Sequence, residues 1–143
     1  MDYNEKRFLL PRWLLFIVWG ALIVWLSLIP SPPVINAPFL GWDKLQHGAA
    51  YALLTLLCFL AMPGPMPDLR RHAGAVTFLA ILLGALMEAA QWLFTTTRKA
   101  EAGDLLADAI GALLVYGAVT WRQRMKRSLK TVRGGFNAYG SHL

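Results

Sequence analysis

Apolar residues in this chain fall into four long runs, at residues 13–29, 43–62, 73–94 and 104–121, separated by short polar or proline-rich stretches. Crossing the hydrocarbon core of a bilayer takes about 20 residues of helix, with a usual range of about 17–25. The runs have that length and are continuous rather than alternating, which disfavours a β-barrel. Helices are the remaining way to satisfy every backbone group in lipid. The pattern therefore predicts an all-α membrane protein: four transmembrane helices in one bundle, forming a single domain.

The segments between the runs set its limits. Lys6, Arg7 and Arg12 precede the first run, as in a signal peptide. The run is long for one and no small-x-small site follows, so an uncleaved first helix is expected. Pro30, Pro32, Pro33 and Pro38 end that helix and predict an extended loop over residues 30–42. Residues 63–72 and 95–103 form the next two loops. Residues 122–143 form a basic tail whose Gly134, Gly135 and Gly140 predict a frayed end. Trp13, Trp42, Trp92 and Trp121 fall at the ends of runs, where interfacial aromatic belts form.

Composition agrees with the pattern. Of 143 residues, 57% are hydrophobic and 15% charged, with mean hydropathy +0.46, which excludes an ordinary soluble domain. The net charge of +6 resides in Arg122, Arg124, Lys126, Arg127, Lys130 and Arg133, a stretch without acids. Beside a membrane helix such a tail anchors on anionic lipid. No nucleic-acid module accompanies it, so no nucleic-acid partner is expected. With four spans, the N-terminus, the second loop and the tail share one side and carry eleven of the fourteen Lys and Arg residues; the other side carries Lys44, Arg98 and Lys99. The positive-inside rule then puts residues 1–12 and the tail in the cytoplasm of a multi-pass protein of the cytoplasmic membrane. The single cysteine, Cys58, excludes an intrachain disulfide.

The candidate chemistry lies at the opposite end. Asp43, Lys44, His47 and Tyr51 open the second span, Glu88 and Gln91 lie in the last turns of the third, and Asp104 and Asp108 lie in the first turns of the fourth. Arg98 and Glu101 lie in the loop between. The up-and-down topology brings all of these to one leaflet. Asp43 and His47 are four apart and share a helix face; Lys44, His47 and Tyr51 form an i, i+3, i+7 stripe. Asp104, Asp108 and Gly111 form another line, whose glycine lets a neighbouring helix approach. Asp43 and Asp104 also suit the first turns of their helices. Glu88 lies about 9 Å inside its helix end, too deep to stay unpaired, and Arg98 and Lys44 are its expected partners.

This arrangement resembles the VanZ-like family of small membrane proteins. Ser27-Leu28-Ile29-Pro30 is similar to a Ser-x-x-Pro at the end of that family's first span. Asp43-Lys44-Leu45 with His47, Ala50 and Tyr51 resembles its most specific signature. Glu88, Gln91, Arg98, Asp104 and Gly111 fit its third patch. The three patches cover residues 27–111. Asp108 departs from the pattern, standing where many members have asparagine. The resemblance implies four spans and a connection with low-level teicoplanin resistance, and it implies no particular reaction.

Three functions fit these residues. The first is binding of an anionic, lipid-linked cell-wall precursor or lipid head group in the outer leaflet, using Asp43, Lys44, His47, Tyr51, Glu88, Gln91, Arg98, Asp104 and Asp108, with Arg98 as a bidentate donor. The second is an intramembrane enzyme in which His47, Glu88 and Asp104 handle protons. The third is a structural network that fixes helix register. Proton-coupled transport fits less well, because the cytoplasmic halves of the spans are apolar. No metal or other cofactor is expected: His47 has no histidine partner, Cys58 lies too deep, His72 is on the opposite side, and His142 is in the tail. Membrane lipids are the expected partners, and four short helices leave room for an oligomer.

Overall fold

The computed structural model describes residues 3–29, 43–62, 69–95 and 101–140, with side chains from 9 to 129 within those ranges. Four helices make up the described chain: α1 (Tyr3–Leu28), α2 (Asp43–Ala61), α3 (Leu69–Phe94) and α4 (Ala102–Gly140). Each is long and apolar enough to cross a membrane, and together they pack as a bundle. The proline-rich loop with Trp42, residues 63–68, and Arg98 and Lys99 lie outside the described residues.

Three helices exceed their apolar runs. α1 begins at Tyr3 rather than Trp13, and α3 begins at Leu69, so Arg70, Arg71 and His72 form its first turn rather than a loop. α4 continues to Gly140, and the tail expected to fray is helical. Hydropathy marks where lipid contact ends, whereas a helix ends only where something stops it. Lys, Arg, Gln, Met and Leu are good helix formers, and no proline follows Pro67.

α2 and α3 form the middle of the bundle, each touching all the other helices, while α1 and α4 lie apart on opposite sides among the described residues. Ile23, Tyr51, Leu54, Ala80 and Ala112 make the buried core, with Phe16, Trp19 and Leu83 packed against it. Trp19 Nε1 donates to the Ala50 carbonyl at 3.0 Å and ties α1 to α2. Gln91 Nε2 donates to the Ser27 carbonyl at 3.1 Å and ties the end of α1 to α3. Thr55, Thr77 and Thr120 satisfy their hydroxyls on the carbonyl four residues back.

The α2–α4 crossing positions the polar residues. A Cβ on Gly111 would collide with the Gly48 carbonyl oxygen and lie 2.8 Å from its carbon, and one on Gly48 would lie 3.3 Å from the Ala107 oxygen. Only glycines let the two backbones meet at this depth. That is the close approach expected of Gly111, and it turns Asp108 and Asp104, one and two turns earlier on α4, toward α2.

Candidate functional site

At one end of the bundle the start of α2, the end of α3 and the start of α4 converge. Lys44 extends from α2 to α4, where its ammonium pairs with Asp104 and, at 2.6 Å, with Glu101. Asp43 Oδ2 lies 4.0 Å from the same nitrogen. Gly103 leaves room for the lysine stem, since a Cβ there would lie 3.0 Å from its Cε. Three carboxylates therefore surround one ammonium.

One turn deeper, His47 Nδ1 lies 3.0 Å from Asp108 Oδ1. A carboxylate only accepts, so Nδ1 carries the proton and donates it. His47 Nε2 then faces Asp104 Oδ2 at 3.7 Å, beyond hydrogen-bonding range. Asp108 is 1% exposed. Its carboxylate fits because α3 has no side chain opposite: a Cβ on Gly84 would lie 2.8 Å from Asp108 Oδ2 and 3.4 Å from Tyr51 Cε1. The Tyr51 ring lies below, 2% exposed, within the field of the Asp108 and Glu88 carboxylates. Among the described residues its hydroxyl has no hydrogen-bond partner.

The expected partners of Glu88 are not the ones it takes. The Glu101 backbone N–H donates to Glu88 Oε2 at 2.8 Å. Lys44 is engaged by Glu101 and Asp104, and Arg98 lies outside the described residues. Glu88 thus caps a free amide just ahead of α4, a bond that locks the approach to that helix onto α3. Gln91 also turns away from the cluster, onto Ser27 of α1.

The structure thus gathers Asp43, Lys44, His47, Tyr51, Glu88, Asp104 and Asp108, and it adds Glu101, which sequence reasoning left out of the site. The signal for Glu101 was its place one turn ahead of Asp104, where the Asp104 N–H donates to its carbonyl at 2.9 Å as the helix begins. Asp43, His47 and Asp104 also bring three ligand-type atoms within 4.8 Å of one another.

Beside the polar cluster, on the outer face of the α2–α4 pair, runs a groove of about 560 Å³. Gly48, Ala49, Ala52, Ala107 and Gly111 form its floor, and Leu106, Ile110 and Leu114 stand on the α4 side. Lys44 and Gly103, which belong to the polar cluster's end of the pair, also line it. No protein-family model, no curated protein and no solved structure matches the chain, so the VanZ-like resemblance stands on its three sequence patches alone.

Proposed function

We propose that this protein binds a lipid-linked cell-envelope molecule in the outer leaflet of the cytoplasmic membrane. The head group occupies the polar cluster and the hydrocarbon chain lies along the α2–α4 groove. One observation carries this reading: Lys44 belongs to both, with its ammonium among the carboxylates and its stem at the head of an apolar groove. A polar end continuous with an apolar channel is the shape of an amphiphile. An anionic head group engages Lys44 by displacing Glu101, whose side chain is 59% exposed and easily moved. Arg98 is the second cation in this reading, and the VanZ-like resemblance connects such binding with low-level teicoplanin resistance.

A photoactivatable polyprenyl phosphate tests the proposal on purified protein. It labels α2 and α4 of the wild type, and labelling falls about tenfold in Lys44→Gln and in Ala49→Trp, a loss of about 1.4 kcal/mol of affinity. Ala49 is exposed to the groove and remote from the carboxylates, so its replacement separates blocked chain binding from a damaged cluster. Equal labelling of all three proteins removes the reading.

The His47–Asp108 pair favours a second reading, acid–base chemistry on such a molecule. Asp108 fixes the ring and leaves Nε2 directed at the mouth of the cluster, as an orienting carboxylate does for a general base. Turnover of a lipid-linked substrate that His47→Gln abolishes without loss of labelling would separate catalysis from binding.

A further inference from the structure

The geometry points to a divalent metal site at the mouth of the cluster, formed by Asp43 and His47 of α2 and Asp104 of α4, and suited to Zn²⁺ or Mn²⁺. The ligand atoms of these residues lie within 4.8 Å of one another. The proposal does not rest on lipid binding.

Three features support it. First, His47 Nε2 and Asp104 Oδ2 lie 3.7 Å apart, too far for a hydrogen bond and close enough for both to reach one ion. With Nδ1 donating to Asp108, Nε2 presents a lone pair to a carboxylate oxygen. A metal ion shared by the two atoms relieves that opposition, and so would a second proton on His47; metal retention tells the two apart. With ligand bonds of about 2.1 Å, a 3.7 Å separation gives a ligand–metal–ligand angle of about 120°, between the tetrahedral and wider angles such ions accept.

Second, the histidine is already oriented as a metal ligand. A ligating imidazole donates its other N–H to a carboxylate, which fixes the tautomer, and Asp108 does this here at 3.0 Å. Asp104 is divided in the same way: Oδ1 belongs to Lys44 and Oδ2 to the gap.

Third, the site is rich in carboxylates. Asp43, Glu101 and Asp104 stand around Lys44, Asp108 stands on His47, and Glu88, Asp104 and Asp108 are buried. Buried carboxylates at the edge of a membrane need compensation. A divalent ion offsets two of those negative charges. One imidazole and two carboxylates suit a borderline or hard ion, and three protein ligands leave positions open for water or a ligand head group.

The test uses the full chain in detergent, stripped with a chelator, reloaded with Zn²⁺ or Mn²⁺, dialysed and assayed by elemental mass spectrometry. The wild type retains one ion per chain. Asp43→Asn, at an exposed first-turn position that leaves the fold intact by circular dichroism, loses it, and so does His47→Gln. Asp108→Asn, which can still accept from His47, weakens retention by about 10–100-fold. Co²⁺ loading gives a second readout, a visible absorption band present in the wild type and absent in Asp43→Asn. Ala49→Trp keeps the ion while losing the polyprenyl label, so the two readings fail separately. Absence of a retained ion with both metals, or retention by Asp43→Asn and His47→Gln at the wild-type level, overturns the proposal.

Discussion

At the scale of single residues, Tyr51 is the group whose environment is least complete. Its ring is core, but its hydroxyl is buried beside two carboxylates and bonded to neither. A buried polar group left unsatisfied costs about 1–3 kcal/mol. Tyr51→Phe should therefore stabilise the delipidated protein by about that amount in a thermal melt, while reducing head-group labelling if the hydroxyl contacts the ligand. A lower melting temperature would show instead that the hydroxyl is already engaged. The residues of the cluster were legible from their types and from the alternation of spans, since antiparallel helices must bring the start of one to the end of the next. The pairings were not. Whether Lys44 meets Glu88 or Asp104 depends on the rotation of each helix about its axis, which hydropathy does not encode. The structure gives Lys44 to α4 and leaves Glu88 to a backbone amide.

At the scale of elements, the α2–α4 crossing governs the site. Gly111 against Gly48 sets how closely the two helices approach, and so how far Lys44 and His47 must reach. Gly111→Ala would press a methyl into backbone atoms, 2.8 Å from the Gly48 carbon and 3.1 Å from the Ala52 nitrogen, and backbone cannot swing aside. It should cost about 1–3 kcal/mol and loosen the Lys44 and His47 contacts. Gly117→Ala on the same helix meets nothing within 4 Å and should be neutral or stabilising by about 0.5–1 kcal/mol. Melting curves of the two variants, measured side by side, check the contrast; equal effects would mean the crossing is not tight. Gly111 was readable in advance from its place on the acidic line. Gly84 was not, because it lies in an apolar run and shows its purpose only against Asp108 from another helix. Helix ends were the least legible feature. The basic residues after Trp121 leave the apolar pattern without leaving the helix, so α4 runs 39 residues where the pattern marks 18.

At the scale of the whole molecule, the four spans and their packing as a bundle follow from hydropathy alone, because lipid permits so few alternatives. The uneven distribution of contacts does not. Among the described residues α1 packs on α2 and α3 and not on α4, and it buries little of its apolar surface. Its polar ties to the rest include an indole hydrogen bond from Trp19 and an amide bond to the Ser27 carbonyl. The catalytic and ligand-binding candidates all lie on the other three helices or in the loop joining two of them. In the two-stage picture of membrane folding, inserted helices associate afterwards by packing and hydrogen bonding. On that picture α2, α3 and α4 should be able to associate without α1, which carries none of the site candidates, and α1 should dock as a separable piece. A gene split within the proline-rich segment, expressing residues 1–35 and 36–143 as two chains, should yield both in the membrane and co-purify them. Trp19→Phe, which keeps a smaller aromatic ring and removes the N–H, should weaken that co-purification without altering the three-helix partner. This protein would then be an assembly of two independently inserted parts, held together by contact rather than by covalent continuity.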